Sequence, residues 1–357
     1  MFDVLVFQRN VITADVWAAM DYWRALGKTV CIDIDDMYSQ LPPSNPAHAF
    51  WTRNTPGLVP EPVTALLEAM RHADALTAPS KVLLADFAHV VRGYLVPNYT
   101  RRAWYATLDQ KPIGAPDISF GYTAGADGQP ILTTTPVPDT AGRIYLGWGG
   151  SISHVDSWLY SEIVPALDRL FEKHANVYLK FCGHETRLDE LVFRRWGARV
   201  VKHGGVNPEH WPLVVTSFDI GLAPLDTRPL DPPWREGAPI ASYDERRSWL
   251  KGVEYLTAGV PWVASDSATY TDLRRWGRLV PNTADGWYNA LDTTVVNLAQ
   301  AKALAWERRR WALKHVTMEA NANKYGAIFE RIIAERNVRG VARLPGIRYV
   351  AQQAVPA

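Results

Sequence analysis

The sequence predicts an α/β fold in which two Rossmann-like domains place their parallel sheets on either side of an interdomain cleft. Two series of short apolar runs alternating with helical patterns indicate the two sheets, and a stretch without periodicity separates the series. The length of 357 residues agrees with this division, because chains of this size usually form more than one hydrophobic core. We therefore expect a first domain over residues 1–99, a linker over residues 100–142 and a second domain over residues 143–317.

The first domain is predicted from local patterns. Gly27 ends the first helical pattern, as glycine often does just past a helix. Residues 41–62 are rich in Pro, Asn and Thr, which predicts a long loop. The predicted elements are a strand at 2–7, a helix at 15–26, a strand at 29–34, a helix at 62–73, a strand at 75–78, a helix at 80–89 and a strand that runs into Val96.

The second domain repeats the alternation of strands and helices. Its predicted elements are a strand at 143–148, a helix at 155–174, a strand at 177–182, a helix ending at 196, a strand at 198–201, a helix at 209–217, a strand within 218–225, a helix at 248–259 and a strand at 260–264. Residues 100–142 have scattered Gly, Pro, Thr and Asp and predict an irregular connection, whereas residues 284–337 predict further helices.

Composition is that of a soluble globular protein. The hydrophobic share is 47%, the charged share is 21% and the net charge is +1, so no global field attracts nucleic acid or anionic lipid. Cys31 and Cys182 lie in apolar strands and predict buried thiols in a reducing compartment. The sequence opens on a strand instead of a signal peptide, and no apolar run reaches the ~18 residues that span a bilayer. We expect a cytoplasmic protein without a transmembrane segment.

Residues 218–270 carry the clearest functional pattern. The order strand, polar loop, helix, strand is typical of a parallel sheet, whose ligands bind outside the carboxyl ends of the strands. The predicted helix begins at that edge, and its first turn holds Arg247, Ser248 and Lys251. Helix amino ends attract anions. This edge therefore suits a bound diphosphate.

The spacing of residues in this stretch also resembles that of a known family. The spaced residues are Ser248, Leu250, Lys251, Glu254, Tyr255, Gly259, Pro261, Ser265 and Tyr270. They resemble the donor-binding half of group 1 glycosyltransferases of the GT-B fold, which use nucleotide sugars, and in particular small bacterial and phage enzymes of that group. Other segments resemble the same enzymes, namely residues 147–158, with the sequence GWGGSISHVDSW, and the segments VFQRN and DIDD near the amino terminus.

The resemblance implies roles for the residues around this helix. The glutamate that matches Glu254 usually accepts hydrogen bonds from the ribose of the nucleotide, a role that suits a carboxylate because it only accepts. Ser248 and Leu250 belong to the same donor site. Arg247 and Lys251 are expected to neutralise the diphosphate, which becomes the leaving group. From spacing alone, Lys251 and Glu254 would equally suit a surface ion pair.

Three further features concern the family pattern. An acid usually stands eight positions before the ribose-binding glutamate, and here that position is Arg246. Residues 226–243 contain four prolines, so we expect a mobile loop over the donor site instead of a helix or central strand. In the family a final helix crosses back to the first domain, and we expect residues 318–337 to do so here.

Two glycine-containing segments extend the predicted donor site. Gly149, Gly150 and Ser151 follow a strand, where glycines let the backbone approach phosphate and the amides donate hydrogen bonds. A tight turn between strand and helix is the alternative interpretation. The resemblance assigns the segment from His203 to Val206 to the nucleobase, which the family binds through backbone groups and a stacked side chain.

The ends of the first two strands predict the acceptor side of the cleft. Asp33, Asp35 and Asp36 end the second strand, and alternation places Asp36 on the face opposite the other two. We expect Asp36 to bind or deprotonate an acceptor hydroxyl and Asp35 to contact the acceptor, with turn capping as the alternative. A metal site is disfavoured, because the GT-B arrangement uses basic residues and helix dipoles. Arg9 and Asn10 are predicted acceptor contacts, and a structural ion pair of Arg9 is the alternative.

The predicted activity is transfer of a sugar from a nucleotide-diphosphate sugar to a hydroxyl acceptor. By resemblance it is a hexosyltransferase-like enzyme that retains the anomeric configuration and needs no metal or other cofactor. The acceptor stays open between a glycan, a lipid-linked sugar, a protein side chain and a modified base of phage DNA. One alternative is a non-catalytic protein that binds sugar nucleotides or acts as a scaffold. A nicotinamide enzyme is disfavoured because no complete G-x-G-x-x-G follows the first strand.

Overall fold

The structure, a computed structural model, describes residues 2–9, 11–52, 62–124, 129–150, 152–184, 186–231 and 233–339. The strands are β1 (Val4–Gln8), β2 (Thr29–Asp33), β3 (Ala75–Ala78), β4 (Gly93–Leu95), β5 (Ile118–Ala124), β6 (Pro130–Pro136), β7 (Ile144–Gly150), β8 (Val177–Gly183), β9 (Val200–His203), β10 (Ile220–Ala223), β11 (Trp262–Ser265) and β12 (Arg278–Val280). The α-helices are α1 (Ala14–Ala25), α2 (His48–Thr52), α3 (Pro62–Arg71), α4 (Lys81–Phe87), α5 (Arg102–Tyr105), α6 (Val155–Leu159), α7 (Ile163–Lys173), α8 (Thr186–Leu191), α9 (Trp211–Thr216), α10 (Leu250–Ala258), α11 (Ala284–Val296), α12 (Leu298–His315) and α13 (Met318–Arg339).

The first domain contains a parallel sheet in the order β1-β2-β3-β4. Its central strands are buried on both faces, as expected when helices cover a parallel sheet. Val30 and Ile32 of β2 pack in one core with Met20 of α1 and Leu66 of α3. The carboxyl ends of the four strands therefore meet at one edge of this sheet.

The second domain contains a six-stranded parallel sheet in the order β12-β11-β10-β7-β8-β9. Chain order reverses between β7 and β10, which is the place where ligands of doubly wound sheets bind. Two glycines of β7 make room for aromatic rings of the core. A Cβ on Gly147 would lie 1.8 Å from the Phe218 ring, and a Cβ on Gly149 would lie 1.9 Å from the Trp211 ring.

The connection between the sheets contains an antiparallel hairpin that the sequence analysis did not predict. β5 and β6 pair from Ile118 with Pro136 to Ala124 with Pro130. The hairpin is tied to the second sheet by a buried ion pair, in which Lys180 Nζ lies 2.5 Å from Asp117 Oδ1. The helix predicted at 155–174 is also interrupted, because α6 ends at Leu159 and α7 begins only at Ile163.

Two segments of the carboxyl-terminal half pack against the first domain. In α13, Ile332 packs with Cys31 and Tyr94, and Arg336 Nη1 donates to the Gly27 carbonyl at 3.0 Å. The insert at residues 226–243 also contacts the first domain, where the Trp234 indole donates to Asp86 Oδ1 and Arg235 Nε donates to the Asp86 carbonyl, each at 3.1 Å. Across the described ranges, every helix is too short or too polar to cross a bilayer.

Candidate donor site

A cavity of about 410 Å³ lies between the two domains, at the chain reversal of the second sheet. The end of β7, Leu225 shortly after β10 and the first turns of α10 form one wall. Asp35 and Asp36 of the first domain face that wall. The full lining is Asp35, Asp36, Asn98, Gly149, Gly150, His154, Cys182, Gly183, Gly205, Val206, Trp211, Leu225, Arg247, Ser248, Leu250, Lys251, Glu254 and Tyr270.

Helix α10 points its amino end at this cavity. The hydroxyl oxygen of Ser248 accepts a hydrogen bond from the Leu250 amide at 3.2 Å. The helix ends where Gly259 adopts a left-handed conformation with φ of 72°, and the Gly259 amide bonds back to Leu256 at 3.2 Å. Packing fixes the direction of the helix, since Gly252 lies against Trp262. The positive end of the helix dipole therefore adds to the field inside the cavity.

Arg247 is the best-connected cation of the cavity. Its Nη1 lies 3.1 Å from His154 Nδ1 and 3.5 Å from Asp244 Oδ1, and its Nε lies 3.5 Å from Asp36 Oδ1. Although burial disfavours the charge, attraction to Asp36, Tyr243 and Asp244 raises the pKa of Arg247 above its usual value. This guanidinium carries a permanent positive charge and links the two walls of the cleft.

Lys251 lies in the first turn of α10, four residues after Arg247, which precedes the helix. Its ammonium group donates a hydrogen bond to the Gly149 carbonyl and lies 4.9 Å from the centre of the Trp148 ring. Burial lowers the pKa of Lys251 to about 8, and the nearby charge of Arg247 also lowers it, against the opposing effect of Glu254. A bound anion would favour the charged form of this lysine.

Glu254 follows Lys251 on the same face of α10 and also lines the cavity. Burial raises the pKa of Glu254 to about 6, while Lys251 and a hydrogen bond from Trp211 act in the opposite direction. At neutral pH the group is therefore mostly ionised. Its oxygens can accept hydrogen bonds from hydroxyl groups of a ligand.

His154 supports Arg247 as a neutral ring. Burial and then the charges of Arg247 and Lys251 lower the pKa of His154 well below its ordinary value. Because a guanidinium only donates hydrogen bonds, Nδ1 of His154 must be the acceptor, which places the proton on Nε2.

The first domain supplies two carboxylates to the cavity. Asp36 accepts a hydrogen bond from the Tyr243 hydroxyl at 3.2 Å, and Asp35 forms an ion pair with Arg9. The sequence analysis placed Asp35 and Asp36 on opposite faces, but both line the cavity because β2 ends at Asp33 and strand alternation stops there. Within the described ranges, no cluster of carboxylates, histidines and cysteines could hold a metal ion.

The structure brings together ten of the predicted site residues around this cavity. They are Asp35, Asp36, Gly149, Gly150, Val206, Arg247, Ser248, Leu250, Lys251 and Glu254. Asn10 and Ser151 lie outside the described residues.

Two predicted residues lie away from the cavity lining. Arg9 is mostly exposed, and its backbone is in the left-handed region with φ of 62° while its side chain pairs with Asp35. The ring of His203 packs against Phe120 with 5.5 Å between the ring centres, and burial lowers the pKa of His203 to about 4. His203 Nε2 has no hydrogen-bonding partner in the described part of the chain. Arg9 therefore contacts Asp35 at the edge of the cavity, whereas His203 packs against the hairpin.

The sequence analysis missed Trp211, which packs on Gly149 and donates to Glu254. No local pattern marks this residue, because its two partners are distant in sequence.

Arg246, which stands where the glycosyltransferases that the sequence resembles have an acid, points away from the cavity. It is fully buried, with Nε 2.6 Å and Nη2 3.0 Å from the carboxylate of Asp86 in α4. Its remaining N–H groups donate to the carbonyls of Pro239, Ala241 and Ser242, at 2.9, 2.6 and 2.8 Å. Arg246 therefore connects the insert of the second domain to the first domain.

Solved structures share the fold of this chain at low sequence identity. No family model and no curated protein matches the chain. Among solved structures, sucrose-phosphate synthase from Thermosynechococcus elongatus is 14% identical with a TM-score of 0.55, and the match covers 94% of this chain and 75% of that one. HepE of Anabaena, in complex with UDP and glucose, is 12% identical with a TM-score of 0.53, covering 92% and 78%. Trehalose 6-phosphate synthase from Burkholderia multivorans is 13% identical with a TM-score of 0.50, covering 97% and 73%.

The chain has the GT-B fold. Its two Rossmann-like domains and parallel sheets are those of the glycosyltransferases among these neighbours. The fold class predicted from the sequence is thereby confirmed.

Proposed function

We propose that the protein is a glycosyltransferase that moves a sugar from a nucleotide-diphosphate sugar to a hydroxyl acceptor with retention of configuration. One observation carries the proposal: the cavity at the chain reversal of the second sheet holds two cations at the start of a helix, and a carboxylate one turn further on. This arrangement matches the order of groups in a nucleotide sugar, in which a diphosphate adjoins a ribose. The GT-B fold supports the same activity by analogy.

In the proposed complex, the diphosphate lies against the first turn of α10. Arg247 and Lys251 line the same cavity and can contact neighbouring phosphate oxygens there. The positive end of the helix dipole also favours the negative charge of the diphosphate. These positive groups stabilise the leaving diphosphate, which is the role that a divalent metal plays in other transferases. We therefore propose that no metal is essential.

The nucleoside extends from the diphosphate toward Glu254. The carboxylate of Glu254 accepts hydrogen bonds from the ribose hydroxyls, and the base lies toward Val206 and Trp211, which line the same cavity. UDP-sugars are the first donors to test, because the structural neighbour HepE was solved with UDP and glucose.

The reaction takes place where the two domains face each other. The bond between the anomeric carbon and the terminal phosphate oxygen breaks, and the acceptor oxygen bonds to that carbon from the same side. The acceptor proton passes to the departing phosphate oxygen. Asp36 holds the acceptor hydroxyl by a hydrogen bond, and its contacts with Arg247 and Tyr243 fix its position.

Thermal-shift screening against UDP-, GDP- and ADP-sugars tests the donor first, because a ligand that binds only the native state raises the melting temperature. The donor that binds is then incubated with the protein, and release of the nucleoside diphosphate is measured. Proton NMR of the transfer product reports its anomeric configuration. No stabilisation by any nucleotide sugar would refute the proposal, and an inverted product would refute retention.

A non-catalytic binding protein is the second candidate, and Arg246 favours it. This residue replaces an acid of the family and is committed to a structural contact with Asp86, so it cannot contact the transferred sugar. Stable binding of a nucleotide sugar, without hydrolysis or transfer to any acceptor, would support this candidate. Slow hydrolysis of the bound donor would exclude it.

A further inference from the structure

A second cavity, of about 550 Å³, opens between the domains beside the donor site. The first domain contributes a single 3₁₀ turn, Tyr38–Gln40, with Ser39 and Gln40. The second domain contributes the start of α6, with Asp156, and the first residues of the insert, with Asp226 and Arg228. Ligand cavities of ~300–1,000 Å³ are typical for small molecules, so the space suits a ligand of one or two sugar rings.

This cavity adjoins the reacting end of the donor site. Tyr243 lines it and donates its hydroxyl hydrogen to Asp36 of the donor cavity at 3.2 Å. Ser153 lines it as well, and its hydroxyl lies 3.4 Å from Arg247 Nη2. The two cavities therefore adjoin at Tyr243 and Ser153, next to Asp36 and Arg247.

Several polar groups of the lining are free to bind a ligand. The Asp156 carboxylate and the Gln40 carboxamide make no side-chain hydrogen bond or ion pair with the described residues. The Ser39 hydroxyl is buried and, within the same ranges, has no hydrogen-bonding partner. Carboxylate and carboxamide groups bind the hydroxyl groups of sugars, because together they offer acceptors and donors.

The charge of the lining selects against anionic ligands. Asp156 is acidic and has no counterion among the described residues, whereas the buried Asp244 lies 3.5 Å from Arg247 Nη1. Arg228 is neutralised by Asp226, whose carboxylate lies 2.8 Å from Arg228 Nη2, and its guanidinium lies 3.2 Å from the centre of the Tyr160 ring. A phosphate group in this cavity would meet carboxylates instead of free cations.

We propose that this cavity binds the acceptor, that the acceptor is an uncharged carbohydrate, and that residues 226–230 of the insert help to select it. The proposal rests on the proposed function of the donor cavity and makes that function more specific. It disfavours acceptors with phosphate groups, including a base within a DNA duplex. The contacts of Arg246 with the insert and with Asp86 hold the insert and the first domain together around the cavity.

Sugar binding can be measured without transfer. Saturation-transfer NMR on the full chain, with UDP present to fill the donor site, would compare maltose and cellobiose with glucose 6-phosphate and with duplex DNA that contains hydroxymethylcytosine. We expect a neutral disaccharide to bind and the two phosphate-containing ligands to bind at least tenfold more weakly. Asp156→Asn should weaken binding of the disaccharide about tenfold, the loss expected for a hydrogen bond to a charged group.

Asp231→Asn, an exposed change in the same insert outside the cavity lining, is the matched control and should leave sugar binding unchanged. In a transfer assay, Asp156→Asn should raise the acceptor KM with little change in kcat. Loss of sugar binding in Asp156→Asn would support this proposal even if no donor were turned over. Absence of donor turnover would refute only the proposed function. Preference for a phosphate-containing ligand, no binding of neutral sugars at millimolar concentration, or equal binding by Asp156→Asn would overturn it.

Discussion

Removing either partner of the Arg246–Asp86 pair should destabilise the protein strongly. Both side chains have 0% exposure, and Asp86 Oδ1 also accepts from the Trp234 indole at 3.1 Å. Arg246→Met leaves the Asp86 carboxylate buried without its counterion, and three carbonyls of the insert lose a donor. Breaking a buried pair in this way typically costs ~3–5 kcal/mol of unfolding free energy. Asp86→Leu should cost a similar amount, because it leaves the guanidinium buried.

The double variant Asp86→Leu with Arg246→Met should lose less stability than the two single changes added together, since no unpaired charge then remains. Urea unfolding, followed by both tryptophan fluorescence and far-UV circular dichroism, measures the three variants and shows whether the transition is two-state. Arg274→Met removes an exposed pair with Asp266 and serves as the control, with an expected loss of ~0–1 kcal/mol. Losses below ~1 kcal/mol in both single variants, or strict additivity in the double variant, would refute the argument.

Donor binding should be tightest between about pH 6 and pH 8. Above about pH 8 Lys251, whose pKa is about 8, loses the positive charge that binds the diphosphate. Below about pH 6 Glu254, whose pKa is about 6, is protonated and loses the carboxylate that binds the ribose. Calorimetric titration of a nucleotide sugar from pH 5 to pH 9 checks this, and an unchanged dissociation constant across the range would contradict it. Transfer should continue at an unchanged rate in excess EDTA, and loss of activity restored by a divalent metal would disprove metal independence. Gly147→Ala should destabilise the second domain by ~1–3 kcal/mol or more, because the new Cβ overlaps the Phe218 ring. Gly204→Ala, where a Cβ meets nothing within 4 Å, should be nearly neutral in the same unfolding assay.

Local pattern was sufficient for most of the sheet strands. The sequence placed β3 at Ala75–Ala78, where the structure has it, because a short apolar run between helix signals has few other interpretations. The hairpin of β5 and β6 was missed although Ile118, Phe120 and Tyr122 alternate with polar residues and Gly in β5, because β6 is largely exposed and its run of Thr shows no apolar alternation. The break before α7 was also missed, since Glu162 adopts a left-handed backbone, with φ of 61°, that no residue type there indicates.

Within the candidate site, the residues of α10 were predictable because they lie on one helix at fixed spacing. The residues that complete the cavity come from elsewhere in the sequence, and local patterns do not show that they meet. Trp211 reaches Glu254 only because Gly149 leaves space for its ring. The prolines of the insert predicted an irregular segment but not its attachment to the first domain, which depends on the distant pair of Arg246 and Asp86.

A diphosphate bound at the start of α10 depends on the charge of Lys251, which the Lys251→Met variant removes. Isothermal titration would compare the nucleoside diphosphate of the preferred donor with its parent nucleoside, in the natural protein and in this variant. The variant should bind the diphosphate at least tenfold more weakly and the nucleoside with unchanged affinity, whereas Lys314→Met, an exposed control, should alter neither. An equal loss for both ligands, or no loss for the diphosphate, would show that the diphosphate does not bind beside Lys251.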